Sequence, residues 1–199
     1  DASISIIIEQ RPDIIIHAGD LFDSSRPPAW AVASAIDGFS RVQSALPNTP
    51  IYVIGGTHEW LKSAGTWHSF EVLQRALPGV KFVYGEPEMI TTVQGYTIMA
   101  FPHLPPARLY EATEQAPPAN FMTAHAPIAG TLGAISGSEQ AILSPCVTSK
   151  YDMIFLGHYH NLVSVAPNAI HMGSSECMKI DQISPKVVVS YDTDTREIT

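Results

Sequence analysis

Apolar positions along this chain alternate between two spacings. Short β-branched runs, DIIIH (13–17) and IYVI (51–54), end at Gly19 and at Gly55-Gly56 and read as buried strands. Between them Pro27 and Pro28 open a helix, since the first helical turn tolerates a missing N–H. Val32, Ile36, Phe39, Val42 and Leu46 then give that helix one apolar face. A second helix is predicted from Thr66 to Leu77, with Phe70, Leu73 and Leu77 as its stripe. Residues 2–10 fit the end of a helix stopped by Pro12, although the isoleucine run also fits a strand.

Beyond Pro78-Gly79 the texture changes. Short strands are predicted around 81–84, 88–93 and 96–101, with a turn at 95–97, and again at 120–124, 152–157, 162–166, 169–172 and 186–191. FPHLPP (101–106) and QAPPA (115–119) read as proline-rich connections, and a short helix fits 138–143. Strand–helix alternation in front of a strand-rich back half predicts an α/β protein with layered sheets and helices outside.

At 199 residues the chain has the size of one domain with a substantial core. An apolar content of 45% and a charged content of 15% fit a compact globular class. No apolar run approaches the roughly 18 residues that span a bilayer, so no membrane partner is expected. Cys146 and Cys177 form no CxxC pair and read as buried thiols of a reducing, cytoplasmic compartment. The net charge of −8 argues mildly against a broad nucleic-acid surface, without excluding local recognition.

Candidate chemistry gathers at the ends of the predicted strands. HAGDLFD (17–23), GGTHEW (55–60), TAHAP (123–127) and LGHYH (156–160) each follow an apolar run. They place Asp20 with Asp23, then His58, His125, and His158 with His160, at strand tips. Each piece alone is weak, because glycine and aspartate are common turn residues and a lone histidine is usually structural. His158 and His160 alternate, so their side chains share one face if the backbone stays extended. Imidazoles and carboxylates converging on one sheet edge are what a divalent transition-metal site requires. His17, His103 and His171 read as packing or surface residues, and Trp30, Trp60 and Trp67 as packing anchors. Arg26 and Lys62 follow two of the loops, where a phosphate contact would be useful.

The four loops, in this order, resemble those of the calcineurin-like metallophosphoesterases, whose motifs run DxH, GDxxD, GNHD/E, a lone H and GHxH. PDIIIHAGDLFDSSRPP (12–28) and the GSSE of HMGSSE (171–176) more closely resemble the SbcD-type DNA nucleases, which work with an SbcC-type ATPase. The resemblance implies a four-layer α/β/β/α sandwich with two mixed β-sheets, and two divalent metal ions, normally manganese. It implies that Asp20 bridges the two metals, that His125 and His158 ligate one and His160 the other. His58 would stabilise the transition state or protonate the leaving oxygen, with Asp23 supporting it and Arg26 contacting substrate. The implied function is manganese-dependent hydrolysis of phosphodiesters at DNA ends in repair or recombination. DNA and an SbcC-type ATPase are the implied partners, and a homodimer is left open.

The match departs from the pattern at two points. No Asp-x-His occurs in the chain, so the resemblance implies a single domain, 1–199, whose first strand and DxH motif lie upstream of Asp1; no C-terminal capping domain is expected within these residues. The family asparagine of GNHD/E is Thr57, a shorter and poorer oxygen ligand. These departures keep two other readings in play: a phosphoesterase acting on small molecules or phosphoproteins, and a catalytically impaired scaffold binding DNA or an ATPase.

Overall fold

β-Branched strands at the front of the chain pair in parallel because helices carry the chain back between them. The computed structural model describes residues 2–60, 68–131, 142–176 and 186–199. In order, the elements are α1 (Ala2–Gln10), β1 (Ile15–His17), α2 (Ala29–Ala45), β2 (Ile51–Ile54), α3 (His68–Ala76), β3 (Val80–Val83), β4 (Glu88–Thr91), β5 (Thr97–Phe101), α4 (Pro106–Gln115), β6 (Phe121–Ala124), β7 (Met153–Leu156), β8 (Leu162–Ala166) and β9 (Ala169–Met172). One sheet has the order β1-β2-β3, and the other β4-β5-β6-β7-β9-β8. The second is mixed: β4–β5 and β8–β9 pair antiparallel and the rest parallel. The first is wholly parallel among the described residues, whereas two mixed sheets were expected.

Strand alternation divides the apolar side chains into three packed layers. Ile51, Val53, Val80 and Phe82 face the helices, meeting Val42 of α2 and Leu46 at its C-cap, and Phe70 and Leu73 of α3 with Leu77 just past its end. Their alternates Ile54 and Val83 face the second sheet, packing with Ile90, Ile98, Ala100, Phe121, Met153 and Ile170. The outer face of the second sheet buries Phe101, Met122, Ala124, Ile154 and Leu156 against Leu109 of α4. The result is helix, sheet, sheet, helix. Each fully buried side chain of this kind contributes about 1.5–3 kcal/mol, so the two faces of each strand are committed and its register with them.

The helix predicted at 2–10 forms, lying against α2 so closely that a Cβ on Gly38 would meet Ile4 Cδ1 at 2.8 Å. Pro28 caps α2 in extended conformation, as the sequence predicts. Helix α4 was not foreseen. Pro105 and Pro106 start it just as Pro27 and Pro28 precede α2, and Leu109 and Thr113 form its buried stripe. The turn between β4 and β5 centres on Val93–Gly95, two residues earlier than read, with Gly95 at φ +88°. No strand forms at 186–191: only Tyr191 bridges, to Ile198, because the segment's backbone bonds close a small hairpin on the chain terminus instead. Of the helix read at 138–143, residues 138–141 lie outside the described residues, and Leu143 bridges Ile128 as extended chain.

Three further readings change. Cys146 is exposed, since its 3₁₀ turn, Pro145–Ser149, buries Val147 instead; Cys177 lies outside the described residues. Trp30 is 72% exposed on the first turn of α2 and anchors nothing, whereas Trp60 packs on the helix-side core. Trp67 and Lys62 lie outside the described residues.

Candidate metal centre

Asp20 is presented by a backbone that turns left-handed twice after β1. Gly19 has φ +96° and Asp20 itself φ +53°. A Cβ on Gly19 would run into His125 Nδ1, and one on Gly56 into the backbone nitrogen and Oδ1 of Asp20. Glycine at these two positions lets the loops after β1, β2 and β6 approach to backbone contact. The Asp20 carboxylate is then held from the β2 loop: Oδ1 accepts from the His58 backbone N–H at 3.0 Å and from the Thr57 hydroxyl at 3.2 Å.

His125 follows β6 and is buried. Its Nδ1 lies 2.7 Å from the Ala18 carbonyl oxygen, which can only accept, so Nδ1 carries a proton and Nε2 is the nitrogen left facing Asp20; burial disfavours a charge on the ring, but the Asp20 carboxylate outweighs it and raises the His125 pKa. Nε2 stands 3.1 Å from Asp20 Oδ2 without hydrogen-bond geometry and is a buried nitrogen lacking a partner. His158 completes the group, its ring edge-on to His125 at 5.2 Å between centroids. One ligand atom from each of Asp20, His125 and His158 lies within 4.8 Å of the others. One oxygen and two imidazole nitrogens, one of them orphaned, suit a divalent transition metal. The residues present fit such an ion.

His158 has φ +78°, so two of the four left-handed non-glycine residues described belong to this group. Backbone strain of that kind, of order 1–3 kcal/mol, persists where the surroundings over-determine it and gathers at functional sites. It also corrects a reading. The backbone through 157–160 does not stay extended, because it turns at His158; His160, which the resemblance assigns to the other ion, lies outside the group of three. The His160 carbonyl instead accepts from Lys186 Nζ at 3.0 Å and from the Ser174 N–H at 3.2 Å, which docks the GSSE segment onto this loop.

His58 is 42% exposed, with Nδ1 3.3 Å from Asp23 Oδ1 and Nε2 4.0 Å from Asp20 Oδ2. The Arg26 side chain is exposed nearby in sequence, and its backbone N–H bonds Ser24 Oγ at 3.2 Å. Burial opposes ionisation of Asp20, but the neighbouring His125 and the His58 N–H outweigh it and hold the carboxyl well below the usual range. Burial, helped by the charge of His125, pushes His158 down to about 4. His17 leaves Nδ1 buried without a partner, and burial lowers it to about 4 as well. His103 is buried against Trp60, and His171 in β9 points Nδ1 at the Gly157 carbonyl, 3.0 Å away; both are structural, as expected.

The calcineurin-like phosphoesterase family model matches residues 3–162. This chain belongs to that family. Among calcineurin-like phosphoesterases, similar curated relatives are archaeal proteins named DNA double-strand break repair protein Mre11. The one from Methanococcus maripaludis is 39% identical over 83 residues, covering 42% of this chain and 22% of the relative. Those from Saccharolobus solfataricus and Sulfurisphaera tokodaii are 34% identical over 103 residues and 31% over 119, covering 51% and 59% of this chain and 26% and 30% of theirs. The chain thus spans less than a third of the length of these relatives. The family uses divalent metals, which agrees with the donor set at Asp20, His125 and His158. No helix among the described residues is long and apolar enough to cross a membrane.

Sequence reasoning passed over one site residue. Glu59 follows His58 directly and is fully buried, accepting backbone bonds from Asp20, Phe22 and Gly56. Its signal was the acidic position of the GNHD/E pattern, directly after His58.

Proposed function

We propose that this chain carries the manganese-dependent nuclease chemistry of an SbcD-type DNA repair protein, hydrolysing phosphodiesters at DNA ends. The observation that supports it most is the orphaned His125 Nε2 beside Asp20 and His158, in a chain whose relatives are named for double-strand break repair. Asp20, His125 and His158 would hold one ion, and His160 with Asp20 would take part in holding a second. Bound there, divalent ions supply electrophilic polarisation of the phosphodiester and a lowered pKa for water.

The chain's own residues do the rest. The Ala18 carbonyl keeps His125 in the tautomer that offers Nε2. The carboxylate of Asp23 orients His58 through Nδ1, leaving Nε2 to give a proton to the departing oxygen. Arg26, on the exposed loop after β1, would meet the substrate phosphate. DNA and an SbcC-type ATPase are the proposed partners, in a cytoplasmic setting, with a homodimer compatible with this reading.

The test is cleavage of linear duplex DNA by this chain with manganese, beside His125→Ala. Metal-dependent loss of DNA ends that vanishes in the variant supports the proposal. The net charge of −8 favours a second reading, a phosphoesterase for small diesters. Hydrolysis of bis(p-nitrophenyl) phosphate without cleavage of DNA would establish it in place of the first.

A further inference from the structure

We infer that Glu59 is a positioning residue for the candidate centre, clamping the loop that carries Asp20 to the loop that carries Thr57 and His58. The inference rests on the metal-centre reading above. Glu59 has no exposed surface. Its Oε2 accepts from the backbone N–H of Asp20 at 3.1 Å and of Gly56 at 2.8 Å, and its Oε1 accepts from the Phe22 N–H at 2.8 Å.

Two features make this more than a satisfied buried acid. First, the N–H groups of Asp20 and Gly56 belong to different loops yet converge on one oxygen. Two N–H dipoles aimed at a common point repel each other unless an acceptor stands between them, and a carboxyl oxygen is the strongest acceptor the chain has. Second, nothing else can come between these loops, since even a methyl on Gly56 would strike Asp20. Glu59 therefore sets how far the Asp20 backbone sits from the His58 N–H that bonds the Asp20 carboxylate at 3.0 Å. Asp20 keeps its left-handed backbone, φ +53°, with its own N–H bound to this clamp. Glu59 touches neither substrate nor ion; it acts through Asp20.

Glu59→Gln separates clamping from mere burial. An amide keeps one carbonyl oxygen for the Asp20 and Gly56 N–H groups but turns an NH2 toward the Phe22 N–H, donor against donor. The β1 loop then loosens at Phe22 while the volume is unchanged. Manganese titrations by calorimetry would be run on the whole chain for wild type, Glu59→Gln, His125→Ala and Leu73→Val, a core change on α3 away from the loops. We expect Glu59→Gln to bind manganese about tenfold or more weakly and to alter the electron paramagnetic resonance spectrum of the bound ion at saturation. Leu73→Val should lower Tm but leave both readouts at wild-type values. If His125→Ala abolishes binding while Glu59→Gln binds and resonates like wild type, the clamp is overturned. A Leu73→Val change that weakens manganese as much as Glu59→Gln overturns it too, because the effect is then general loosening. If His125→Ala itself binds normally, the metal-centre reading fails instead.

Discussion

The Ala18 carbonyl oxygen and His125 Nδ1 stand 2.7 Å apart, joining the turn before Asp20 to the end of β6. That single bond fixes which imidazole nitrogen carries the proton, and so which one can bind a cation. His125→Ala should reduce manganese affinity at least about a hundredfold, the upper end of what even an outer-shell partner is worth. Isothermal calorimetry on the metal-free chain checks it; an affinity within a few-fold of wild type would rule His125 out as a ligand.

His58 contributes in two ways that mutation can separate. Its backbone N–H bonds Asp20, and that bond survives His58→Ala; the imidazole paired with Asp23 does not. Manganese affinity should therefore stay near wild type while phosphodiester turnover falls about 10²–10⁴-fold, the usual worth of a general acid. Asp23→Asn should cost less, since it only weakens the hold on Nδ1. Parallel calorimetry and steady-state assays distinguish the two effects.

Thr57 donates its hydroxyl to both oxygens of Asp20, at 3.2 and 3.3 Å. A donor there competes with a cation for the same lone pairs. Thr57→Asn replaces it with an amide whose carbonyl oxygen is a better hard ligand. Manganese should bind about tenfold more tightly in this variant, by calorimetry. Unchanged or weaker binding would mean that Thr57 serves the centre through its hydrogen bonds to Asp20.

His171 gives the chain an acid-labile element beside the loop that carries His158. Burial lowers it to about 4 from 6.5, despite its bond to Gly157. Between those values the unfolded chain binds a proton that the folded chain refuses, so stability falls as pH drops from about 6.5 toward 4 and levels off below. The slope is about 1.4 kcal/mol per pH unit for one such group. His17, lowered similarly, adds in the same direction, while Glu59, raised by burial, opposes it. The difference between wild type and His171→Asn isolates the one histidine: denaturation of the metal-free proteins from pH 7 to 4 should show a shallower loss in the variant. Parallel curves would exclude His171.

What the sequence could show depended on period and on loop position. Strands at 15–17 and 51–54 and the α2 and α3 stripes were legible because apolar spacing is a local property. So was the order of Asp20, His58, His125 and His158, since each follows a strand. Helix α4 escaped because its prolines read as breakers when they were in fact starters. The turn at His158, which breaks the extended run through 157–160, escaped because a left-handed residue leaves no mark in a periodicity. Glu59 stands at the acidic position of the GNHD/E pattern, but its role escaped because its partners are backbone groups of a loop 37–39 positions away.

The Ala18–His125 bond links residues separated by 107 positions along the chain. Closing so long a loop carries an entropic cost that must be met before any reward from the contact arrives. On a ribosome, the carboxylate of the centre would therefore emerge long before its imidazoles, with nothing to bind. In the proposed centre, metal capture would then be a late event, open only to a polypeptide whose two sheets have already docked.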